Sequence, residues 1–419
     1  MIRALAFVML LAVAGCGART GLDVPDANVD ASRDAGRDAA LDAGHDAGPP
    51  PRCIVVPPSG LVTANFSIPA ALQVVDVMFL VDVTGSMRDA IDNVRAGLRD
   101  TVAPGVRAAI PDAAFGLAIF GEFPVLPYAR PNSGVHPYEL RSPITLDLEL
   151  LSASFETLPS WGNLDDPEAD VEGLYQVATG AGLEPYVHAS FGCASGGAGG
   201  GCFRDEAFRV VLLVTDAPMH NGPPGIPPVA PYTFSGPSAH TYTDAVTALR
   251  GIGATVIGLG AVHSDRRPSP IPHLTQLVTD VDTHHMPLVF DIGDRGDHIG
   301  QSVVTALETL ASQVPLDVSA EVDNVPGAAI DARTLVTALR AVSAAPSGNI
   351  RGMSGSTFSG VIPGTHLTFA IDIDGSRLPP STMRREVPAR VVFRDGGRSR
   401  VGSEDVLFVI PGMDGRGCP

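Results

Sequence analysis

The stretch of residues 74–83 narrows the fold more than any other part of the chain. It is almost continuously apolar. A strand of that kind needs apolar cover on both faces, as in a parallel sheet held between two layers of helices. Ile91, Val94, Leu98 and Val102 follow at helical spacing. The alternation then continues. Residues 113–120 read as a strand, and Val171, Leu174, Tyr175 and Ala178 mark a helix. Residues 210–215 read as a strand, 244–250 as a helix and 254–259 as a strand, and Val303, Leu307, Leu310 and Val314 form a last helical stripe. Residues 74–314 are therefore expected to form a doubly wound α/β domain with a mostly parallel sheet. Ligands in such folds sit beyond the carboxyl ends of the strands.

After Pro315 the texture changes to short alternating segments, 316–322, 367–373, 391–393 and 406–410, separated by Pro and Gly. That is the pattern of an all-β sandwich. Residues 61–68 alternate in the same way. Residues 53–73 and 315–419 are thus expected to share one β domain, with the α/β domain inserted between them. Four cysteines lie in this part: Cys53, Cys193, Cys202 and Cys418. Three connectivities are open to them. The favoured one joins Cys193 to Cys202 across a Gly-rich loop and Cys53 to Cys418 at the two ends of the folded part.

The start of the chain carries compartment signals. One basic residue, Arg3, precedes an apolar run of residues 4–13, too short to cross a bilayer and suited to an export signal. The run ends in Val13-Ala14-Gly15-Cys16, which resembles the lipobox of bacterial lipoproteins. The resemblance implies cleavage after residue 15 and lipid on Cys16, and Gly17 resembles the residue found there in outer-membrane lipoproteins. Asp-Ala pairs then recur every four residues from Asp26 to Asp46. As a helix they would stack six carboxylates on one face, so residues 16–52 are read as an extended, solvated spacer.

The chemistry lies at the strand ends. Asp82-Val83-Thr84-Gly85-Ser86 follows the first strand directly. A carboxylate and two hydroxyls at every second position of a tight loop converge on one hard cation, favouring Mg²⁺, Mn²⁺ or Ca²⁺ over softer ions. The competing reading has Asp82 capping the next helix. A second carboxylate, Asp216, ends the strand of residues 210–215. In Asp166-Pro167-Glu168, Asp166 is expected as a helix N-cap, Pro167 as the first helical residue, and Glu168 as facing the same sheet edge.

These segments resemble the von Willebrand factor A family, and more narrowly the I-like domain of integrin β subunits. Val81-Asp82-Val83-Thr84-Gly85-Ser86-Met87 resembles its first metal loop, and the segment opening Gly121-Glu122-Phe123 resembles its second. Gly162-Asn163-Leu164-Asp165-Asp166-Pro167-Glu168 is similar to its Asn-Leu-Asp-x-Pro-Glu segment, and Thr215-Asp216-Ala217-Pro218-Met219-His220 to its third loop. The resemblance implies that Asp82, Thr84, Ser86, Glu168 and Asp216 hold Mg²⁺ (or Mn²⁺). It also implies a neighbouring Ca²⁺ site from Glu122, Asn163, Asp165, the Pro167 carbonyl and Glu168. Thr84 stands where Ser is usual, and Glu122 where Asp is usual. Of the acidic pair at the family's third metal site, Asp89 is present, but Ala90 fills the other place.

The resulting expectation is an envelope-anchored protein that binds a carboxylate of a partner through its metal, not an enzyme. There is no Gly-x-Ser-x-Gly elbow and no His-Glu-x-x-His motif beside His284 and His285. The net charge of −18, with no basic cluster, argues against a nucleic-acid partner. Trp161 reads as local packing. By the resemblance, residues 127–159 lie where the family carries its specificity-determining loop, without the Cys pair seen there; these residues and the Pro-rich 218–237 are either specificity loops on the metal face or surface padding. The rival is an envelope protein whose metals only stiffen loops.

Overall fold

In the computed structural model the described residues are 50–97, 101–193, 197–263, 268–282 and 287–418. The export signal, Cys16, the Asp-Ala repeat, Leu98, His284 and His285 lie outside them. Two strands come first, β1 (Arg52–Val55) and β2 (Leu61–Pro69). The middle of the chain runs β3 (Val74–Asp82), α1 (Arg88–Gly97), α2 (Ala103–Ala109), β4 (Asp112–Phe120), β5 (Glu139–Thr145), α3 (Leu148–Glu156), α4 (Asp170–Thr179) and β6 (Phe208–Thr215). It continues with α5 (Tyr242–Ile252), β7 (Ala254–Gly260), α6 (Ile271–Val281), β8 (Val289–Asp291) and α7 (Ile299–Gln313). The last seven strands are β9 (Leu316–Asn324), β10 (Val336–Ala345), β11 (Gly352–Ser354), β12 (Thr357–Val361), β13 (His366–Asp374), β14 (Arg385–Asp395) and β15 (Ser399–Ile410).

All nine residues of β3 are buried, as its largely apolar sequence requires, with Asp76 inside it paired to Arg204. It lies inside a six-stranded sheet of order β5-β4-β3-β6-β7-β8, in which only β5 runs antiparallel. Successive side chains of a strand face opposite ways, so β3 serves two cores at once. Val75, Val77, Phe79 and Val81 pack with Ile91 of α1, Phe155 of α3 and Val303, Leu307 and Leu310 of α7. Met78 and Leu80 pack on the other side with Leu174 of α4, Leu249 of α5 and Leu274 and Leu277 of α6. Helices on both faces make the domain doubly wound, with every parallel strand delivering its carboxyl end to one edge. Strand order reverses around β3, which places the ends of β3, β4 and β6 side by side.

Two further sheets draw strands from both ends of the chain. One has the order β1-β15-β14-β9-β12-β11, the other β10-β13-β2. β2 pairs antiparallel with β13, setting Phe66 opposite Phe369. The sheets meet through Phe369, whose ring lies 5.0 Å from that of Phe358 and 5.1 Å from that of Phe393. Arg394 and Arg400 reach from β14 and β15 to Glu206, just before β6, at 3.2 and 3.1 Å. Gln73 and Arg400 also join by a backbone bond.

Both favoured disulfides are present, Cys53–Cys418 and Cys193–Cys202, with Cα atoms 5.8 and 5.4 Å apart. The first sits where β1 runs parallel to β15 and Cys53 pairs with Leu407. Arg52 already belongs to β1, so the folded part begins slightly before residue 53.

Three expectations change. Helix α4 begins at Asp170, with Ala169 at its N-cap, so Asp166 caps nothing and Pro167 precedes the helix. Residues 127–159 are not one loop but carry β5 and α3. β10 escaped the sequence reading because none of its residues is buried, leaving no apolar alternation to detect.

A Cys418→Ser variant is expected to lose roughly 2–5 kcal/mol of unfolding free energy, because the bridge restrains a very long loop in the unfolded chain. Chemical denaturation checks this. An unchanged midpoint would mean that β1–β15 pairing closes the fold unaided.

Candidate metal centre

The parallel sheet fixes three loops at one edge, and an extended segment ties them together. Trp161 donates its backbone N–H to Val83 at 2.7 Å, Ala169 to Gly121 at 3.0 Å, and Glu168 to Pro218 at 3.0 Å. His220 returns a bond to the Glu168 carbonyl at 2.8 Å. Residues 161–169 therefore lie across the ends of β3, β4 and β6, an arrangement created by backbone pairing. Gly121 permits it: a Cβ there would come within 2.8 Å of the Trp161 ring.

The first cluster is built on Asp82. Its Oδ1 accepts from the Thr84 backbone N–H at 2.8 Å and from Thr84 Oγ1 at 2.7 Å, while Oδ2 accepts from Thr215 Oγ1 at 3.1 Å. These bonds form the loop itself, so Asp82 does not cap the following helix. Thr84 Oγ1 and Ser86 Oγ are 3.0 Å apart, and Ser86 Oγ donates to Asp216 Oδ1 at 3.0 Å. The other oxygen of Asp216 lies 2.8 Å from His263 Nε2. Asp82, Thr84 and Asp216 are buried, whereas Ser86 is half-buried at the mouth.

Charge inside this cluster is poorly balanced. Glu168 is buried, and its carboxyl is pushed well above the ordinary carboxylate range, first by burial and then by the charges of Asp82, Glu122, Asp170 and Asp216. Burial, then Asp216, pushes Asp82 up to about 7. Asp170, in the first turn of α4, is fully buried and also pushed well up, by burial and then by Asp82. Oε2 of Glu168 has no hydrogen-bond partner. Buried carboxylates so arranged require protons or a cation. The donor set, carboxylates plus two hydroxyls, fits a hard divalent ion.

A second cluster lies beside it. Glu122 Oε1 accepts from the Tyr232 hydroxyl at 2.6 Å and from the Phe123 backbone N–H, leaving Oε2 without a hydrogen bond. Oε2 lies 3.5 Å from His220 Nε2, which is 3.0 Å from Asp165 Oδ2. One ligand atom from each of Glu122, Asp165 and His220 falls within 4.8 Å of the others. Asn163 directs its amide nitrogen, not its oxygen, to Glu168 Oε1 at 2.6 Å.

Asp82, Thr84, Ser86 and Asp216 are thus joined by hydrogen bonds, with Glu168 within their electrostatic reach. Glu122 and Asp165 meet in the second group. Asp89 departs from expectation: it is ion-paired with Arg295 at 3.0 Å on the exposed face of α1. The pair is exposed, and residue 90 is alanine, so no second acid stands beside Asp89. Three residues escaped the sequence reading: Asp170, His220 as a side chain, and His263. A signal existed for both histidines, which follow strand ends at the ligand edge, whereas Asp170 stands in the acidic run Glu168-Ala169-Asp170-Val171-Glu172 with nothing local to single it out.

No family model matches this chain, and no curated protein does. Solved structures resemble it weakly. A von Willebrand factor type A protein from Catenulispora acidiphila aligns at 13% identity and TM-score 0.37, over 86% of this chain and 72% of that one. The pilus adhesin SpaC from Lactobacillus rhamnosus GG aligns at 13% identity and TM-score 0.35, over 84% and 46%. Proximal thread matrix protein 1 from the mussel byssus aligns at 11% identity and TM-score 0.34, over 59% and 48%. At such scores the weight falls on the residues of the site.

The raised Asp82 carboxyl predicts a pH dependence. Its folded value of about 7 lies above the ordinary aspartate value of 3.8. The metal-free fold therefore gains from this group below pH ~4 and loses that contribution as pH rises through about 7. Mg²⁺ competes with the proton, so the melting shift it produces should grow between about pH 6 and 8. A shift independent of pH would contradict this assignment.

Proposed function

We propose that this chain is a lipid-anchored protein of the cell envelope that captures an acidic group of a partner macromolecule through a divalent ion held by Asp82, Thr84, Ser86, Glu168 and Asp216. Its α/β domain is read as inserted in a two-sheet β domain, and Cys16 as the point of attachment to the membrane, at the outer membrane. Mg²⁺ is the ion that suits the first site, with Mn²⁺ as its substitute. The likeness of the four loop segments to the integrin β I-like domain supports this reading.

One observation carries it: the carboxylates lie on the buried side of the cluster, and the neutral Ser86 hydroxyl lies at its half-exposed mouth. Carboxylates on the inner side hold the ion, and a neutral donor on the outer side leaves its field less quenched in that direction. Mg²⁺ takes six oxygens and usually keeps several waters. A carboxylate arriving at the mouth replaces one of those waters and meets an electropositive ion. That is a binding role. The acidic chain, net −18, makes an exposed anionic partner approach through the ion and not through general attraction.

Pull-down from envelope or cell-surface extracts in Mg²⁺, repeated in EDTA, tests the binding role. Capture should be lost in EDTA and in an Asp82→Asn variant. That variant should also melt higher than the wild type when both are metal-free, because it removes a buried acid that resists ionising, and it should show no Mg²⁺ shift at this site. Equal capture with and without chelator sinks the proposal. Metal stabilisation without any carboxylate-dependent partner would instead favour ions that only stiffen loops. Cys16→Ser should move the protein from the membrane fraction to the soluble fraction; retention at the membrane would refute the anchor.

A further inference from the structure

We propose that the outer edge of β5 pairs with the same edge of a second copy of this chain, antiparallel about a twofold axis at Leu140. This contact is separate from the metal-dependent binding proposed above and stands or falls without it.

The order of the parallel sheet leaves β5 as its outermost strand on one side. Among the described residues no strand pairs with its outer edge. Toward its end that edge is tied down, where the Ile144 N–H donates to the Gly201 carbonyl at 3.0 Å. The stretch before it stays open, and an open strand edge is a template for another strand.

The sequence of that stretch is complementary to itself. Residues 137–143 read Pro-Tyr-Glu-Leu-Arg-Ser-Pro. A twofold axis through Leu140 sets Glu139 opposite the partner's Arg141, and Arg141 opposite the partner's Glu139. Opposed residues of an antiparallel pair project from one face, and opposite charges there attract. Within one chain these two side chains already share a face. Arg141 Nη1 lies 2.6 Å from Glu139 Oε1, and Nη2 lies 3.0 Å from Thr157 Oγ1 just after α3. The same axis sets Pro137 opposite the partner's Pro143. Proline has no N–H to give a ladder, so the pairing stops at matching points on both strands.

Apolar side chains flank the edge on both faces. On the α4 side, Leu140 and the fully exposed Phe191 line a cleft of about 600 Å³. On the α3 side, the half-exposed Leu150 lines a smaller cleft with Glu139 and Arg141. The axis brings each cleft against its own counterpart, so one patch serves both copies, as an isologous contact requires. The two six-stranded sheets then run on as one, with their metal edges facing opposite ways. The competing reading is that the charges and prolines guard this edge against any pairing.

Leu140→Cys in the full chain tests the contact. Opposed residues of an antiparallel pair have Cα atoms about 4.5–5.5 Å apart, within disulfide reach. Oxidation should therefore link this variant to itself as a dimer, whereas Met413→Cys, exposed on the β domain, should not link. Added to Leu140→Cys, Glu139→Arg and Arg141→Glu each place like charges across the axis and should cut the linked fraction about threefold or more. An equal mixture of those two variants should restore it, because each then offers the charge that the other lacks. Wild-type chains that sediment as monomers up to about 1 mM, with no self-link through residue 140, overturn the proposal. So does a mixture of folded variants that links no better than either alone, or a link to another protein in place of a second copy. Should a charge variant fail to fold, the self-link of Leu140→Cys decides.

Discussion

Mutual repulsion among buried carboxylates is the constraint around which this molecule is organised. Asp82, Glu168, Asp170 and Asp216 are each at most 2% exposed, and Glu122 lies beside them fully buried. Two unit charges about 4 Å apart repel by about 4 kcal/mol at an effective dielectric near 20. A whole domain is stable by only about 5–15 kcal/mol. Two or three such contacts, left ionised and uncompensated, would cancel most of that margin. The carboxylates therefore share protons or share cations. Binding a cation and holding the loops together become one event.

Only a stiff frame can hold acids in such a place. Strands β3, β4 and β6 are buried almost throughout and end at one edge. Their backbone ladders leave the loops little freedom to splay. Residues 161–169 are pinned by main-chain bonds to all three loops, so Glu168 stays inside although its charge would favour leaving. Cys53–Cys418 and the β2–β13 pairing tie together the two ends of the folded part. The ion pairs of Arg394 and Arg400 with Glu206 connect the β sheets to the entry of β6, at the end remote from the metal edge.

The two clusters divide the chemistry between them. Around Asp82 the donors are oxygens, one of them the half-buried Ser86 hydroxyl, an arrangement open to an outside anion. Around Glu122 an imidazole joins the acids, and aromatic rings of Tyr128, Tyr232 and Phe123 close in on it. Glu168, influenced by both, couples the charge state of one cluster to that of the other.

Local pattern alone determined a good part of this. The nearly continuous apolar run before Asp82 announced a doubly covered strand, and the spacing of Asp82, Thr84 and Ser86 announced converging oxygens, because both depend on residues close in sequence. Asp216 was legible from its place at a strand end. What depended on distant partners was not legible. Helix α4 starts at Asp170 instead of Pro167, since pairing of residues 161–169 with three loops outweighs the local preference for a Pro-led helix start. Asp89 is paired with Arg295, more than two hundred residues away. His263 gains its role only when β6 and β7 lie side by side, and His220 only when the end of β6 meets the end of β4 and residues 161–169. Sequence thus named the donors that neighbour one another, and the tertiary structure chose the rest, because which charges share a buried space is settled by packing across the sheet and not by order along the chain.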